Sequence, residues 1–480
     1  MGAIVAIGGV ALALLAQGQY KTAIVASSLP LVAYIVLAIR VEFLLACLVL
    51  GFSFTWPLIE VRPLGQLTFI RLDDLLYALL FMRWLLDLYR GQWKGAVFVR
   101  EMGWMPVLFL VSPMISFLFL WPRVSLEPAA KSLYYVLKHL QYVSIFPIAY
   151  VYLYRSKFGS RLIDLLLLGA MLVAAYGILE YVNLVPTGDN VGLNAKLEKL
   201  HTVGVTSTLS VQHAHIAVYI TLILSLIFGR LASARNSGER IIYMVMMVAM
   251  LVVGALSLAR LAVIGTATTI IVFLTLRRAK GFAVAAVTAV VVAVMYPWLA
   301  SLGESSAPGG MGRLFVWEGS QSFELRTLIW RSTIEASTAN VGAMLFGSGF
   351  GMFPYSLASA LFERTHGVPA SGAHNSYLMT FSELGATGLG VLMAFQFGII
   401  KKVWDSVRAE RDPRRRALME GYLAGLVGTL AMAGGIDVWF PATGLESLMG
   451  YYFMMMAVVL GQVRSSEGDG GCPKRCDLEK

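Results

Sequence analysis

The sequence contains few charged residues. Only 14% of its 480 residues are Asp, Glu, Lys or Arg, whereas ordinary soluble domains carry roughly 25%. This scarcity excludes a soluble globular enzyme, a disordered chain and a nucleic-acid-binding protein with a broad basic face. The chain also lacks a short repeat, which excludes a fibrous protein.

Cysteine is equally scarce. Cys47, Cys472 and Cys476 are the three cysteines of the chain, so no disulfide framework is expected. The last two lie in a polar C-terminal tail, and two thiols do not complete a tetrahedral zinc site. No Lys or Arg precedes the first apolar run, which favours a retained helix over a cleaved signal peptide.

Apolar sequence is abundant instead, at 58% of the residues. By the roughly 20-residue length of a membrane span, about fourteen segments are candidate helices. They are 3–16, 22–39, 43–58, 72–88, 105–121, 133–153, 162–181, 210–228, 241–258, 261–276, 282–302, 376–400, 417–433 and 444–460. The sequence therefore predicts an all-α polytopic membrane helix bundle of about 12–14 spanning helices with a large external (periplasmic) loop. The fourth segment carries Arg83 and Asp87, so an orientation along the interface is the alternative for it.

Basic residues recur in alternate loops. Lys and Arg cluster near residues 90–100, 155–161, 230–240, 277–280 and, most densely, 401–416. Because basic short loops stay cytoplasmic, these loops and both termini are predicted to be cytoplasmic. The loops between them must lie on the other side of the membrane, so 182–209 and 303–375 are predicted to be outside.

The chain is expected to have three regions. Residues 1–205 are expected to form an N-terminal transmembrane bundle, 206–400 a core with the external loop 303–375, and 401–480 the C-terminal helices and a cytoplasmic tail.

Two arginines in the external loop are candidate anion ligands. Residues 324–337 are predicted to form an amphipathic helix with Leu328, Ile329 and Ile334 on its apolar side. Arg326 and Arg331 lie five residues apart on it, so they point in different directions and only one should face inward. The alternative for each arginine is a solvated helix face.

Arg260 closes a tight turn, from Ser257, at the expected outer mouth of the bundle. A planar guanidinium binds two phosphate oxygens at once. The alternative is an arginine that snorkels to the interface.

His374 stands where the external loop enters an apolar helix. Histidine is suited to proton transfer near neutral pH, and the alternative is an ordinary interface histidine. Tyr377 shares its helix face. Glu383, nine residues on, should pack against other helices, where either a functional or a structural role is open.

Other motifs give weaker signals. The glycines of 347–351 are predicted to form a tight turn rather than a dinucleotide loop, since no strand precedes them. His213 and His215, even with His366 and His374, are not expected to form a metal site, because few carboxylates lie nearby and no HExxH pattern exists. No GxSxG element is present.

Taken together, these motifs resemble the O-antigen ligase and polysaccharide polymerase superfamily of bacterial inner membranes. The strongest element is His374-Asn375-Ser376-Tyr377-Leu378 followed by Glu383-Leu384-Gly385-Ala386-Thr387-Gly388-Leu389. The glycine turn, the Arg326…Trp330 pair and the Ser257…Arg260 turn support it. Ala259 departs from the second serine that the family has in that turn. The resemblance covers roughly residues 206–398.

The resemblance implies a metal-independent glycosyltransferase of the inner membrane, with no cofactor. It implies His374 as general base and Arg260 and Arg326 as ligands of the donor pyrophosphate. Candidate supporting residues, which are not carried over from the family, are Asn375, Tyr377, Glu383 and Arg331. The donor would be a glycan on undecaprenyl pyrophosphate, and the acceptor a glycan or lipid A–core, for O-antigen or exopolysaccharide assembly in the lipid bilayer. Ligase and polymerase stay open at this point.

Two functions of other classes are the alternatives. A polytopic transporter or lipid-linked oligosaccharide flippase would place charged residues near the bilayer midplane and show repeat symmetry between halves. A structural subunit of an assembly complex is the third.

Overall fold

The computed structural model of the protein describes residues 40–53, 57–61, 68–93, 95–120, 124–154, 156, 158–182, 184, 213–257, 259–278, 321–367, 369–370, 372–436 and 446–463. Within these ranges the side chains of Arg260, His213 and His215 are among those outside the description. The predicted spans 3–16, 22–39 and 282–302, and the tail cysteines Cys472 and Cys476, also lie outside it.

Helices dominate the described residues. In chain order the elements are α1 Val41–Gly51, β1 Pro57–Val61, β2 Thr68–Arg71, α2 Leu72–Tyr89, α3 Gly95–Met102, α4 Met105–Leu120, α5 Leu126–Leu153, α6 Phe158–Tyr181, α7 His213–Ala232, α8 Ser237–Leu256, α9 Arg260–Leu276, α10 Gln321–Thr338, α11 Val341–Phe346, a 3-10 turn Phe353–Tyr355, α12 Leu357–His366, α13 Ser376–Ala409, α14 Pro413–Ala433 and α15 Glu446–Val463. The predicted all-α polytopic fold class is confirmed. The antiparallel hairpin of β1 and β2 is a small addition to it.

Every predicted span that falls on described residues coincides with a helix. The third predicted span, 43–58, is helical only in its first part, since the helix begins at Val41 and ends at Gly51. Helix α3 was not predicted, since its sequence is too short and polar to stand out as an apolar run. It meets α4 at an angle of 101°, and Gly103 supplies the left-handed backbone at the bend, with φ +72°.

Several described helices suit a bilayer. Three of them, Phe158–Tyr181, Ser237–Leu256 and Ser376–Ala409, are long and apolar enough to cross a membrane, and the bent pair of α3 and α4 would make a fourth if it forms one span. Shorter apolar helices add Val41–Gly51, Ile216–Ala232, Leu261–Leu276 and Leu448–Gly461. The protein is therefore a multi-pass membrane protein, and the count of about 12–14 spans stays a prediction.

Glycines bring α14 close to α7 and α9. A Cβ atom at Gly421 or Gly425 would collide with Ser225 of α7, and one at Gly428 would collide with Thr269 of α9. Small residues at four-residue spacing let helices pack backbone to backbone in a membrane. This contact fixes the position of the end of α14 relative to α9.

The bundle has one strongly basic end. Four ion pairs join the predicted basic loops there: Arg230–Asp164 (2.7 Å), Arg277–Glu420 (3.1 Å), Lys402–Glu101 (3.7 Å) and Arg414–Glu239 (3.9 Å). Helices α9 and α13 run toward this end, and α14 runs away from it. The start of α9, the start of α13 and the end of α14 consequently lie at the opposite end.

Candidate active site at the end of helix α14

Three backbone carbonyls after α14 hold the predicted site elements together. They belong to residues 434–436, which we name the 434–436 turn. Their donors come from α10 and from the start of α13. The hydrogen bonds are Asn375 Nδ2 to Gly434 O (2.8 Å), Arg326 Nη1 to Gly435 O (3.0 Å) and Ser376 Oγ to Ile436 O (2.8 Å).

The start of α9 reaches the same turn. A Cβ atom at Gly435 would lie 2.7 Å from Leu261 Cδ2, so Leu261 packs directly on this glycine. In the preceding turn, Ser257 Oγ donates to Gly254 O at 2.7 Å and accepts from the backbone N–H of Ala259 at 3.4 Å. Arg260 is the first residue of α9. Its backbone is thus beside the 434–436 turn, and its guanidinium lies outside the described residues.

His374 occupies a constrained position directly before α13. Its φ of 50° is left-handed, a conformation uncommon outside glycine and often found where function demands a fixed geometry. On one side, Trp330 Nε1 donates to Ala373 O at 2.9 Å. On the other, Asn375 caps the helix by accepting from the backbone N–H groups of Tyr377 (3.0 Å) and Leu378 (3.1 Å). Neighbours on both sides therefore fix the backbone of His374.

The surroundings of His374 favour its neutral form. The side chain is half-buried. Burial, together with the nearby positive charge of Arg326, lowers the pKa of His374 below its ordinary value. A neutral imidazole can accept a proton, as a general base must.

Helix α10 turns one of its two arginines toward the site. Arg326 is half-buried and shares a face with Trp330, four residues on, whereas Arg331 is exposed. Arg331 is therefore not brought to the 434–436 turn. The predicted apolar side was wrong in one position: Ile334 is 49% exposed, and Thr333 is buried in its place.

Glu383 is buried away from His374. Its carboxylate accepts from the backbone N–H of Gly351 at 2.9 Å and from that of Phe353 at 3.0 Å. Nine residues along a helix place it about 13 Å from His374. Glu383 thus holds the glycine turn and the 3-10 turn in place.

The glycine turn packs against α13 with no space for side chains. Gly347 has φ +72° and Gly385 has φ +69°, a region that favours glycine. A Cβ atom on Gly347 would collide with the Glu383 backbone, and one on Gly385 would collide with the Leu345 backbone. The prediction of a tight turn is confirmed.

Tyr377 anchors α13 to α14. Its hydroxyl donates to Leu430 O at 2.9 Å, one turn before the end of α14. This bond helps to set the distance between His374 and the 434–436 turn.

Part of the chain matches a known protein family. Residues 245–393 match the family model described as O-antigen ligase. The chain carries an O-antigen ligase domain. The resemblance to the O-antigen ligase and polymerase superfamily is therefore confirmed over these residues, and the match supports a membrane enzyme of that type. A search of curated proteins found no match.

Two parts of this candidate site were missed by sequence reasoning. The 434–436 turn lies beyond the matched residues and contributes carbonyls, which no side-chain pattern reveals. Its only signal is the Gly434-Gly435 pair directly after an apolar helix, a common mark of a turn.

The second missed part is α5, which supports the glycine turn from the other side. Ser132 Oγ donates to Phe350 O at 2.6 Å, and the rings of His139 and Phe350 lie 5.3 Å apart. Neither Ser132 nor His139 belongs to a recognisable motif.

Of the other candidate histidines, the structure describes the side chain of His366 but only the backbone of His213 and His215. His366 is exposed, with its ring 4.6 Å from that of Phe362. His213 and His215 begin α7. Within the described ranges, no three His, Cys, Asp or Glu side chains lie close enough together to hold a metal ion.

Proposed function

We propose that this protein transfers a glycan from an undecaprenyl-pyrophosphate-linked donor to an acceptor sugar, at the periplasmic face of a bacterial inner membrane. The observation that supports this most directly is the convergence of the His374 loop, Arg326 and the start of α9 on the 434–436 turn. His374, which is suited to accept a proton, and Arg326, which is suited to bind phosphate, thus belong to segments that meet at the same backbone turn.

The donor side of the site needs positive charge. As the glycosidic C–O bond breaks, its electron pair moves to the pyrophosphate oxygen, so charge must be stabilised there. Arg326, whose bond to Gly435 O orients its guanidinium, and Arg260 at the start of α9 are the proposed ligands. The N-terminal ends of α9 and α13 add positive partial charge.

The acceptor side needs a base. The acceptor hydroxyl oxygen attacks the anomeric carbon and gives its proton to His374 as the new C–O bond forms. The lowered pKa of His374 keeps the imidazole neutral before the reaction. A direct displacement of this kind inverts the anomeric carbon. Pyrophosphate is a good leaving group, so no separate general acid is required.

Ligase and polymerase share this chemistry and differ in the acceptor, which is lipid A–core in one and a second lipid-linked glycan in the other. A deletion strain distinguishes them. A polymerase defect leaves one repeat unit attached to core, whereas a ligase defect leaves no attached glycan and accumulates the lipid-linked polymer.

The decisive test of the proposal is substitution of His374 in a reconstituted assay with purified lipid-linked glycan. His374→Ala and His374→Gln should each reduce turnover about 10²–10⁴-fold, since an amide cannot take the proton. Donor binding should persist, because both arginines remain.

His366→Gln is the matched control, since it removes an exposed histidine outside the site. It should keep wild-type turnover. Near-normal turnover by His374→Gln would remove His374 from the role of base and refute the proposed mechanism.

A further inference from the structure

A concave basic site lies at the end of the bundle opposite the 434–436 turn. Two adjoining cavities, of about 540 and 520 Å³, open between the C-terminal ends of α9 and α13 and the start of α14. Both are lined by Arg278, Arg416 and Glu420. Arg277 lines the first cavity, and Arg408 lines the second beside Trp404.

Glu420 organises the arginines of this site. Its carboxylate is buried and pairs with Arg277 Nη1 at 3.1 Å and with Arg416 Nε at 3.0 Å. One carboxylate thus holds two guanidinium groups in fixed positions. Since a single negative charge faces two positive charges, the pairing leaves the site positive.

Arg278 and Arg408 add charge that this carboxylate does not balance. Four arginines and one glutamate line the two cavities, which gives 4 − 1 = +3. Arg278 also has a left-handed backbone, with φ 53°. This is the conformation that commonly ends a helix, here α9, and it sets the direction in which the chain leaves the helix beside the cavities.

We propose that these cavities bind the phosphodiester headgroup of an anionic phospholipid. Guanidinium groups bind phosphate oxygens in pairs, and a concave surface of one charge concentrates the opposite charge. Trp404, 41% exposed beside Arg408, is the kind of residue that lies at the level of lipid headgroups.

The paired cavities favour a lipid with two phosphates. Arg278 and Arg416 are shared between them, so two neighbouring phosphates would each meet three arginines. Diphosphatidylglycerol has this chemistry, and basic pockets between membrane helices bind such headgroups. The site is independent of glycan transfer, because none of its residues touches the 434–436 turn.

The test uses the full-length protein, purified in an uncharged detergent and titrated with diphosphatidylglycerol, phosphatidylcholine or inorganic phosphate. Binding is followed by the shift in melting temperature and by native mass spectrometry. Arg278→Gln with Arg408→Gln removes two charges while leaving the pairs of Glu420 intact. Arg235→Gln with Arg240→Gln removes two exposed charges from the same end but outside both cavities.

Diphosphatidylglycerol should bind the wild type saturably, and phosphatidylcholine should not. At roughly fivefold per arginine, the cavity pair of substitutions should weaken binding about 30-fold, and the control pair less than about twofold. Arg278→Lys should weaken binding to an intermediate degree, because lysine keeps the positive charge but lacks the planar guanidinium that binds two oxygens.

Two results would overturn the inference. If the control pair weakens binding as much as the cavity pair, the lipid responds only to total charge. If inorganic phosphate raises the melting temperature as strongly as the lipid at equal concentration, the site takes a small anion and not a phospholipid.

Discussion

Substitution of Glu383 distinguishes most clearly between a structural role and a role in the reaction. It lies within the most specific motif of the chain, yet its two carboxylate oxygens accept from the backbone N–H groups of Gly351 and Phe353. We therefore expect Glu383 substitutions to lower stability before they affect chemistry.

The magnitude follows from those two bonds. Leaving a buried donor without its acceptor costs about 1–3 kcal/mol, so Glu383→Ala, which orphans two N–H groups, should cost about 2–6 kcal/mol. In Glu383→Gln the amide oxygen still accepts from one N–H while the NH₂ group opposes the other, so about 1–3 kcal/mol is expected. Against typical stabilities of about 5–15 kcal/mol, both losses are measurable.

The assay is thermal denaturation of the purified protein, followed by size-exclusion chromatography. The midpoint should fall in the order wild type, Glu383→Gln, Glu383→Ala. Glu363→Gln, which removes an exposed carboxylate on α12, should melt like the wild type. A Glu383→Gln variant that melts like the wild type but transfers no glycan would show that the carboxylate acts in the reaction, and the structural reasoning would be wrong.

Three further predictions concern the charges of the site and the topology. Because burial and Arg326 lower the pKa of His374, the acid limb of the kcat/KM profile should lie below the ordinary histidine value of about 6.5; a limb at pH 7 or above would contradict this. Arg260→Ala and Arg326→Ala should each reduce glycan transfer severely at near-normal protein level, and Lys at either position should rescue poorly, since an ammonium lacks the bidentate fork; full rescue by Lys at both positions in the reconstituted assay would exclude a pyrophosphate clamp. Cysteine labelling in intact cells should place 401–416 in the cytoplasm and 303–375 in the periplasm; a cytoplasmic 303–375 would refute the mechanism as well as the topology.

The helices were predictable because apolar length alone decides where a bilayer-spanning helix can form. Helix α13 illustrates the limit of this rule. Its apolar run predicted an end near residue 400, whereas the helix continues to Ala409, since polar residues beyond the apolar stretch still favour helix. Boundaries set by hydrogen bonding are invisible to hydropathy.

The site was predictable only where side chains carry the signal. His374, Asn375 and Arg326 stand in a recognisable motif or pattern, and the structure brings them together. The 434–436 turn, which accepts from Asn375, Ser376 and Arg326, acts through main-chain carbonyls that lie 59 residues along the chain from Asn375 and 60 from Ser376. Such a partner has no side-chain pattern, because any residue type supplies the same carbonyl.

The tight fit of Gly347 against the Glu383 backbone, and of Gly385 against the Leu345 backbone, affects how an active relative can be distinguished from an inactive one. Those residues are required for the chain to fold, whatever reaction it performs, so selection for a folded protein preserves them even after the loss of activity. His374 is under no such constraint, since its side chain supports neither turn. A relative that retains the glutamate and both glycines but has replaced the histidine should therefore still fold and still be recognised as a member of the family, as an inactive homologue that binds its lipid-linked substrate without transferring the glycan.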